Sequence, residues 1–269
     1  MDDGEGLIFN GVRFSSVENP ILPKVLPLKI SNWNVNRVLP KQDRFARIQI
    51  ACRAWGSDIW FLTETHEEMK PNSDFYSIFS GTPDRSFEEG ERWSSIWSRW
   101  PIDPLDEYVT DKSRCVAGRI ENSTFGELIL YGLVLPWTTD PRGKEIGSFE
   151  VYKQNLRSQQ SDWYRIRAAF PKAVLIVAGD FNQSLAQKHY YGSHDKRAIL
   201  EGVLEECGLI PLTSEANDPI YRDSPPNACI DHICISTGGW DLEATSRWPN
   251  APTLKEADSD HFLVSVQIS

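Results

Sequence analysis

The chain has 269 residues and a formal net charge of −10, and hydrophobic side chains make up 40% of it. This acidic balance argues against broad, non-specific coating of nucleic acid, which needs a basic surface. It does not exclude a nucleic-acid enzyme, because divalent cations bound by clustered carboxylates reverse the local field. The length fits one large α/β domain or two small ones.

The sequence also bears on where the protein works. No apolar run reaches the length of a membrane span, and the acidic start, Met1 to Glu5, lacks the basic and apolar parts of a secretory signal. The five cysteines form no C-x-x-C pair, and most lie within apolar periodic segments. We therefore expect small buried thiols in a reducing compartment, which predicts a cytoplasmic protein without a membrane partner.

Apolar patterning predicts more strands than helices. Strands are predicted at residues 28–35, 59–63, 94–98, 115–120, 128–135, 173–178, 230–235 and 262–268. Helices are predicted at residues 43–55, 149–170 and 196–207. Asp43 is the expected N-cap of the first helix. Residues 1–27 are interpreted as a lead-in and residues 28–269 as a single domain.

The order of these elements favours one fold class. Strict alternation of strand and helix is absent, which disfavours a Rossmann-type sheet. The pattern instead predicts an α/β fold, a layered sandwich of two mixed β-sheets with the helices outside.

The segment Gly179-Asp180-Phe181-Asn182 is the most informative motif in the chain. It follows the buried strand predicted at residues 173–178 and presents a carboxylate and a carboxamide two residues apart. Because side chains alternate along an extended backbone, Asp180 and Asn182 are expected to point the same way, and Phe181 back into the core. An acid and an amide at the end of a buried strand suit a hydrated cation and a phosphate oxygen.

Five further motifs accompany this segment in a definite order. By their first residues, these motifs are WNVN at residue 33, LTET at 62, IWSRWPI at 96, IDHI at 230 and SDH at 259, with GDFN at 179 between the third and the fourth. The ordered set resembles the endonuclease/exonuclease/phosphatase superfamily, whose DNase I-like fold is a four-layer α/β sandwich. The resemblance spans nearly the whole chain and implies metal-dependent hydrolysis of a phosphoester.

By this resemblance, a Mg²⁺ or Mn²⁺ ion is bound by Glu64 and Asp260, with Asn34 supporting the metal or the phosphate. Mg²⁺ prefers oxygen donors, keeps several waters and typically takes one or two carboxylates. A solvated acid at the end of a strand is the structural alternative for Glu64. A turn-forming Asn is the alternative for Asn34.

The resemblance also implies the catalytic residues. Asp180 would orient or deprotonate the attacking water, and Asn182 would hold a phosphate oxygen or the nucleophile. His261 would act as a base or as a charged stabiliser, with Asp231 fixing its tautomer. His232 faces away from Asp231 on an alternating strand, so we interpret it as structural.

Other positions are expected to contact phosphate or depart from the family pattern. His66 and Arg114 are expected phosphate contacts, although a surface position is an equal alternative for His66. Asn36 stands where many members carry a second Asp, so it would bind an oxygen without bringing charge. Val134 stands where many members place a His or Tyr.

The sequence favours a nuclease that acts on DNA or RNA, with nucleic acid as its partner. A phosphomonoesterase for a small cytosolic phosphate ester is one alternative, and a degenerate member that binds a phosphorylated ligand or a partner is another. The Trp-rich segment at residues 92–97, together with Trp137, could stack on bases. Core packing is the favoured interpretation of these tryptophans. The sequence leaves the oligomeric state open.

Overall fold

The computed structural model describes residues 8–9, 12–13, 27–83, 88–122, 125–186, 188, 190–223, 225–236 and 258–268. The strands are β1 (Ile8–Phe9), β2 (Val12–Arg13), β3 (Leu28–Asn34), β4 (Ile59–His66), β5 (Tyr76–Phe79), β6 (Glu91–Ser98), β7 (Asp103–Pro104), β8 (Val116–Asn122), β9 (Gly126–Val134), β10 (Val174–Asp180), β11 (Leu209–Pro211), β12 (Asp231–Ser236) and β13 (Val264–Ile268). The helices are α1 (Asp43–Trp55), α2 (Gly143–Ile146), α3 (Ser148–Ala169), α4 (His194–Glu206) and α5 (Pro219–Asp223). Of the helices in these ranges, none combines the length and apolar character that a membrane span needs.

The predicted lead-in lies largely outside the described residues. Within residues 1–27, only the antiparallel pair β1 and β2 and the residue Pro27 are described. The assignment of residues 28–269 to a single domain therefore stays a prediction.

The longer strands form two mixed sheets. One has five strands in the order β13-β3-β4-β6-β5, and the other has six in the order β11-β12-β10-β9-β8-β7. Among the described strands, β3 pairs with β4 and β9 with β10 in parallel, and the other neighbours are antiparallel. Because parallel strands end at the same edge of a sheet, each parallel pair brings two carboxyl ends together.

Three hydrophobic clusters stack the elements into four layers. Between the sheets, Ile30 and Phe61 belong to the same cluster as Leu130 and Ile176 of the opposite sheet. The outer face of the six-stranded sheet packs against α3 and α4. The outer face of the five-stranded sheet packs against α1. This arrangement confirms the predicted four-layer α/β sandwich of two mixed sheets flanked by helices.

Most predicted elements are present, with corrections near the start of the chain. Asp43 is the first residue of α1 rather than its N-cap, and Gln42 takes the N-cap position without a side-chain capping bond. Strand β4 does not end at Thr63 but continues to His66, because its ladder with β6 resumes at Thr65. The Trp-rich residues 92–97 lie within β6, a buried strand of the five-stranded sheet.

Gly179 allows β10 to lie close against β9 at the edge where the other sheet also ends. The Asn32 side chain of β3 donates its amide Nδ2 to the carbonyl oxygen of Gly179 in β10, at 2.8 Å. Gly179 has a φ of +149°, and a Cβ added there would lie 1.9 Å from the carbonyl oxygen of Leu133 in β9. Only glycine fits such a close approach. The next residue, Asp180, is thereby delivered to the edge where both sheets end.

Candidate active site

Asp180 lies at the centre of a polar cluster formed by both sheets. Its carboxylate accepts hydrogen bonds from the backbone N–H of Asn182 at 2.8 Å and from the Asn182 amide Nδ2 at 2.9 Å. It also accepts one from Asn34 Nδ2 at 3.2 Å, and the same Asn34 nitrogen donates to Glu64 Oε1 at 3.1 Å. Asn34 therefore bridges Glu64 and Asp180, two of the carboxylates predicted from the sequence.

Unusual backbone conformations are concentrated at this cluster. Glu64, Asn36 and Asn182 have φ values of +48°, +49° and +49°. Among the described non-glycine residues, two others have positive φ, which are Arg37 and Glu215. Such conformations cost about 1–3 kcal/mol each and persist where the surrounding structure requires them. At Glu64 the turn interrupts the ladder between β4 and β6, which is paired at Thr63 and again at Thr65.

The predicted alternation around Asp180 is present in modified form. Phe181 is fully buried in the core beneath the six-stranded sheet, and Asn182 contacts Asp180 as expected. The contact is made by a left-handed turn at Asn182 rather than by a continued extended strand.

His261 reaches the cluster from the segment that precedes β13. Its Nδ1 lies 2.7 Å from Asp231 Oδ2, at the start of β12. The segment is attached to β3, because the Ser259 hydroxyl donates to the carbonyl oxygen of Asn34 at 2.6 Å and accepts from the N–H of His261 at 3.1 Å. Trp33 Nε1 also donates to the His261 carbonyl oxygen at 3.0 Å. The predicted Asp231–His261 contact is therefore present.

Burial and mutual charge set the protonation of the cluster. Burial and the neighbouring Asp231 charge raise the pKa of Asp180 to about 8. Burial also raises the pKa of Glu64, against the hydrogen bond from Asn34. Burial opposes charge on His261, but the charge and hydrogen bond of Asp231 outweigh it and raise the pKa of His261 to about 10. The imidazole is therefore protonated at neutral pH in the metal-free protein.

The donor set fits a hard divalent cation. Glu64 is partly buried and Asp260 is exposed, and the Asp260 charge further raises the pKa of Glu64. Ligand atoms of Asp180, Asp231 and His261 also lie within 4.8 Å of one another. Asp231 Oδ1 is buried without a hydrogen-bond partner. Clustered carboxylate oxygens, of which Asp231 Oδ1 has no donor, are suited to Mg²⁺ or Mn²⁺, which prefer oxygen ligands.

The structure gives other partners to two expected phosphate contacts. His66 is buried, and its ring nitrogens contact the Glu89 carbonyl oxygen at 3.0 Å and the Glu68 N–H at 3.1 Å. Arg114 is fully buried, and its Nη2 lies 2.9 Å from Asp140 Oδ2. Phosphate binding by His66 or Arg114 stays a prediction that would require these contacts to change.

Asn36 and Val134 both lie beside the cluster. The backbone N–H of Asn36 donates to Asn34 Oδ1 at 2.8 Å, so this segment helps to orient the bridging amide. Val134 is buried and pairs directly with Asp180 across β9 and β10. An apolar side chain thus occupies the position where the resemblance suggested a polar one. His232 is structural as predicted, with its ring between Thr213 Oγ1 at 3.1 Å and the Gln183 carbonyl oxygen at 3.0 Å.

Sequence reasoning missed two contributors to the site. Arg44 donates to the carbonyl oxygens of Val35, Asn36 and Asp258, so it holds the loop after β3 against the segment that carries His261. Leu135 donates its N–H to the Asp180 carbonyl oxygen at 2.8 Å and accepts from Asn182 Nδ2 at 2.9 Å. Main-chain contacts of this kind leave no residue-type signal in a sequence.

Solved structures share this fold across most of the chain. The endonuclease domain of TRAS1, a telomere-specific non-LTR retrotransposon, has a TM-score of 0.60 at 18% identity, covering 90% of this chain and 98% of that one. The Xenopus laevis APE2 catalytic domain has a TM-score of 0.62 at 17% identity, covering 90% and 91%. The D. rerio TDP2 complex with a single-strand DNA product has a TM-score of 0.59 at 15% identity, covering 90% and 99%. At such identities these likenesses establish the fold alone.

The two mixed sheets and their flanking helices form a DNase I-like fold, with the acid–amide–histidine cluster at the edge where both sheets end. The sequence profile of the Endonuclease/Exonuclease/phosphatase family matches residues 31–261, and the chain belongs to this family. A sequence comparison with curated proteins gives no match.

Proposed function

We propose that this protein is a divalent-metal-dependent phosphodiesterase, a nuclease that hydrolyses DNA or RNA by in-line attack of an activated water. The observation that carries the proposal is the position of Asp180, which is buried among Asn34, Asn182 and the Asp231–His261 pair. This arrangement has the parts that hydrolysis at phosphorus needs, namely a group to orient water and charge to stabilise the phosphate.

Asp180 is proposed to orient the water and accept its proton. Three N–H donors fix its carboxylate, and its pKa, raised by burial to about 8, suits a proton acceptor near neutral pH. Both hydrogens of the Asn182 amide are used by Asp180 and by the Leu135 carbonyl oxygen. This leaves Asn182 Oδ1 as an acceptor for the water.

His261 is proposed to act as a charged stabiliser rather than as a base. The Asp231 contact raises the pKa of His261 to about 10, so the imidazolium is present when the phosphate binds. With Nδ1 engaged by Asp231, Nε2 is left to donate to a phosphate oxygen. Asp231 is then a positioning residue that holds the ring.

Glu64 and Asp260 are proposed to hold the cation, supported by Asn34. When bound, Mg²⁺ or Mn²⁺ supplies positive charge that stabilises the phosphate in the transition state. Asn34 contributes by fixing Glu64 Oε1 through a hydrogen bond of 3.1 Å. The five cysteines are free and buried, which supports placing this activity in a reducing compartment such as the cytoplasm.

A phosphomonoesterase acting on a small phosphate ester is the second candidate. The formal charge of −10 favours it, because an acidic surface repels a long polyanion more than a small ester. The same cluster would serve both reactions, so the substrate decides between them.

One assay set tests the proposal. The purified protein is incubated with Mg²⁺, Mn²⁺ or EDTA and with single-stranded DNA, duplex DNA, RNA and a generic phosphomonoester. We expect metal-dependent cleavage of a polymer, abolished in Glu64→Ala, Asp180→Ala and His261→Ala with the fold retained. Exposed Asp74 and His194 provide the matched controls Asp74→Ala and His194→Ala, which should keep full activity.

The outcomes separate the hypotheses. Phosphate release from the monoester alone supports the second candidate. Retained turnover in all three active-site variants contradicts the mechanism. Absence of turnover with every substrate supports a degenerate member that binds a phosphorylated ligand or partner.

A further inference from the structure

Trp137 lies close in sequence to Leu135, which contacts the candidate catalytic residues. It lies two residues beyond Leu135, on the connection between β9 and α2. The N–H of Leu135 donates to the Asp180 carbonyl oxygen, and the Leu135 carbonyl oxygen accepts from Asn182 Nδ2. The backbone of Trp137 therefore lies two residues from a main-chain segment that contacts both residues proposed to orient the attacking water.

The indole of Trp137 is held by a buried charged layer. The Arg114 guanidinium lies 5.6 Å from the Trp137 ring centroid and 4.9 Å from that of Trp93. Arg114 pairs with Asp140 at 2.9 Å, and both side chains have 0% exposure. A fully buried ion pair adds little net stability, because desolvation offsets its attraction. Its role here is better explained by the rigid placement of the aromatic rings.

The two tryptophans in this layer differ in exposure. Trp93 is 3% exposed, whereas Trp137 remains partly exposed although their rings are only 5.9 Å apart. Core packing, the favoured expectation for the Trp-rich segment, therefore holds for Trp93 but does not describe Trp137. A rigid aromatic ring that stays partly open beside a phosphoester site is suited to stacking.

Several basic side chains on the segments around the site are neutralised by carboxylates. In the described residues, four of them are paired with carboxylates, namely Arg37 with Glu91, Lys41 with Glu88, Arg47 with Asp258 and Arg92 with Glu67. Phosphates along a strand would therefore gain little from counterion release at this rim. Contacts with bases would then supply an important share of the affinity for a nucleic acid.

We propose that Trp137 is the specificity-determining platform on which an unpaired base next to the scissile phosphate stacks. The preferred substrate is then single-stranded or unpaired nucleic acid, because both faces of a base inside a duplex are covered by its neighbours. The inference rests on the proposed nuclease function, because only a nuclease has a scissile phosphate beside the stacked base. Base stacking itself is measured as binding, without hydrolysis.

Binding and hydrolysis are tested separately. Binding of a phosphorothioate oligothymidylate, which resists hydrolysis, is measured by fluorescence anisotropy with Mg²⁺ and compared with an abasic strand of equal length. Trp137→Ala should weaken binding of the base-bearing strand by about 5- to 150-fold and leave the abasic strand unchanged. Trp137→Phe should keep most of the affinity. Tyr164→Ala removes an aromatic ring that is 47% exposed on α3 and should change nothing.

Hydrolysis of an abasic strand with ordinary phosphodiester bonds supplies the structural control. This strand needs the catalytic cluster but offers no aromatic ring, so Trp137→Ala should hydrolyse it at the wild-type rate. Three results with Trp137→Ala would each overturn the proposal. They are an equal loss of affinity for both strands, a loss of the control hydrolysis, and an unchanged affinity for oligothymidylate. Base-dependent binding without hydrolysis of any diester by the wild type would refute the nuclease function and leave the stacking platform supported.

Discussion

Replacing Gly179 with alanine is the sharpest structural test of the site. Gly179 has a φ of +149°, a conformation that side-chain-bearing residues rarely adopt. The added Cβ would lie 1.9 Å from the carbonyl oxygen of Leu133, where contacts below 3.0 Å are essentially never seen. The parallel pair β9 and β10 would have to separate by about 1.1 Å at this point, the difference between these two distances.

The cost follows from strain and from overpacking. Backbone strain of this kind costs about 1–3 kcal/mol, and forcing atoms into a packed interior costs about 1–3 kcal/mol. We therefore expect Gly179→Ala to lower the free energy of unfolding by about 2–6 kcal/mol. The adjacent Asp180 would shift with the strand, and a misplacement of about 1 Å lowers turnover by about 10²-fold.

Urea unfolding and turnover under identical conditions measure both effects. Gly202→Ala is the matched control, because Gly202 lies within α4 and an added Cβ meets no atom within 4 Å. That substitution should raise stability by about 0.5–1 kcal/mol and leave turnover unchanged. A Gly179→Ala variant that loses less than about 1 kcal/mol would refute the reasoning, since the strain alone exceeds this value.

Three further predictions concern the charged cluster and its support. In EDTA, the raised pKa of His261 means that its ion pair with Asp231 stabilises the fold fully below the ordinary value of 6.5, and this contribution is lost as the pH rises through about 10. Asp231→Asn should therefore lower the pKa of His261 in an NMR titration, and an unchanged titration would contradict this. Glu64→Gln removes the charge of a partly buried carboxyl group, so it should unfold at or above the wild-type temperature in EDTA. It should also lose the stabilisation by Mg²⁺, which is about 2.7 kcal/mol in the wild type at a Mg²⁺ concentration of 100 times the Kd. Equal stabilisation of both by Mg²⁺ would place the cation elsewhere. Ser259→Ala removes hydrogen bonds to Asn34 and His261, so it should lower the free energy of unfolding in urea by about 1–3 kcal/mol. It should also lower kcat more than it raises KM, and an effect on KM alone would contradict the positioning role of Ser259.

The parts of the fold that are visible in the sequence are those governed by local pattern. The short apolar run before Gly179 is typical of a buried strand, and it forms β10. The polar residues at the strand ends are equally visible, because acids and amides are rare beside such runs. Alternation along the strand predicted that Asp180 and Asn182 point the same way, and the family resemblance implied the Asp231–His261 contact. Both contacts are present.

Features that depend on distant partners were not visible. His66 was expected to contact phosphate, but a left-handed turn at Glu64 breaks the alternation of the strand, and the His66 ring contacts backbone groups instead. The partner of Arg114 is 26 residues away, and nothing in the residue types indicated that both groups of the pair would be fully buried. Long-range charge pairing and single-residue turns are decided by tertiary packing, which one sequence does not reveal.

The candidate active site lies at the edge where the two sheets meet. Asn34 and Glu64 belong to the five-stranded sheet, and Asp180 and Asp231 belong to the six-stranded sheet. The apolar layer between the sheets therefore acts as a spacer that sets the gap between the acid proposed for the metal and the acid proposed for the water. A change of side-chain volume deep in that layer, such as Ile176→Ala, would alter this gap without touching any polar group. The distance between these acids thus depends on the thickness of the apolar layer as well as on the positions of the acids in their own strands.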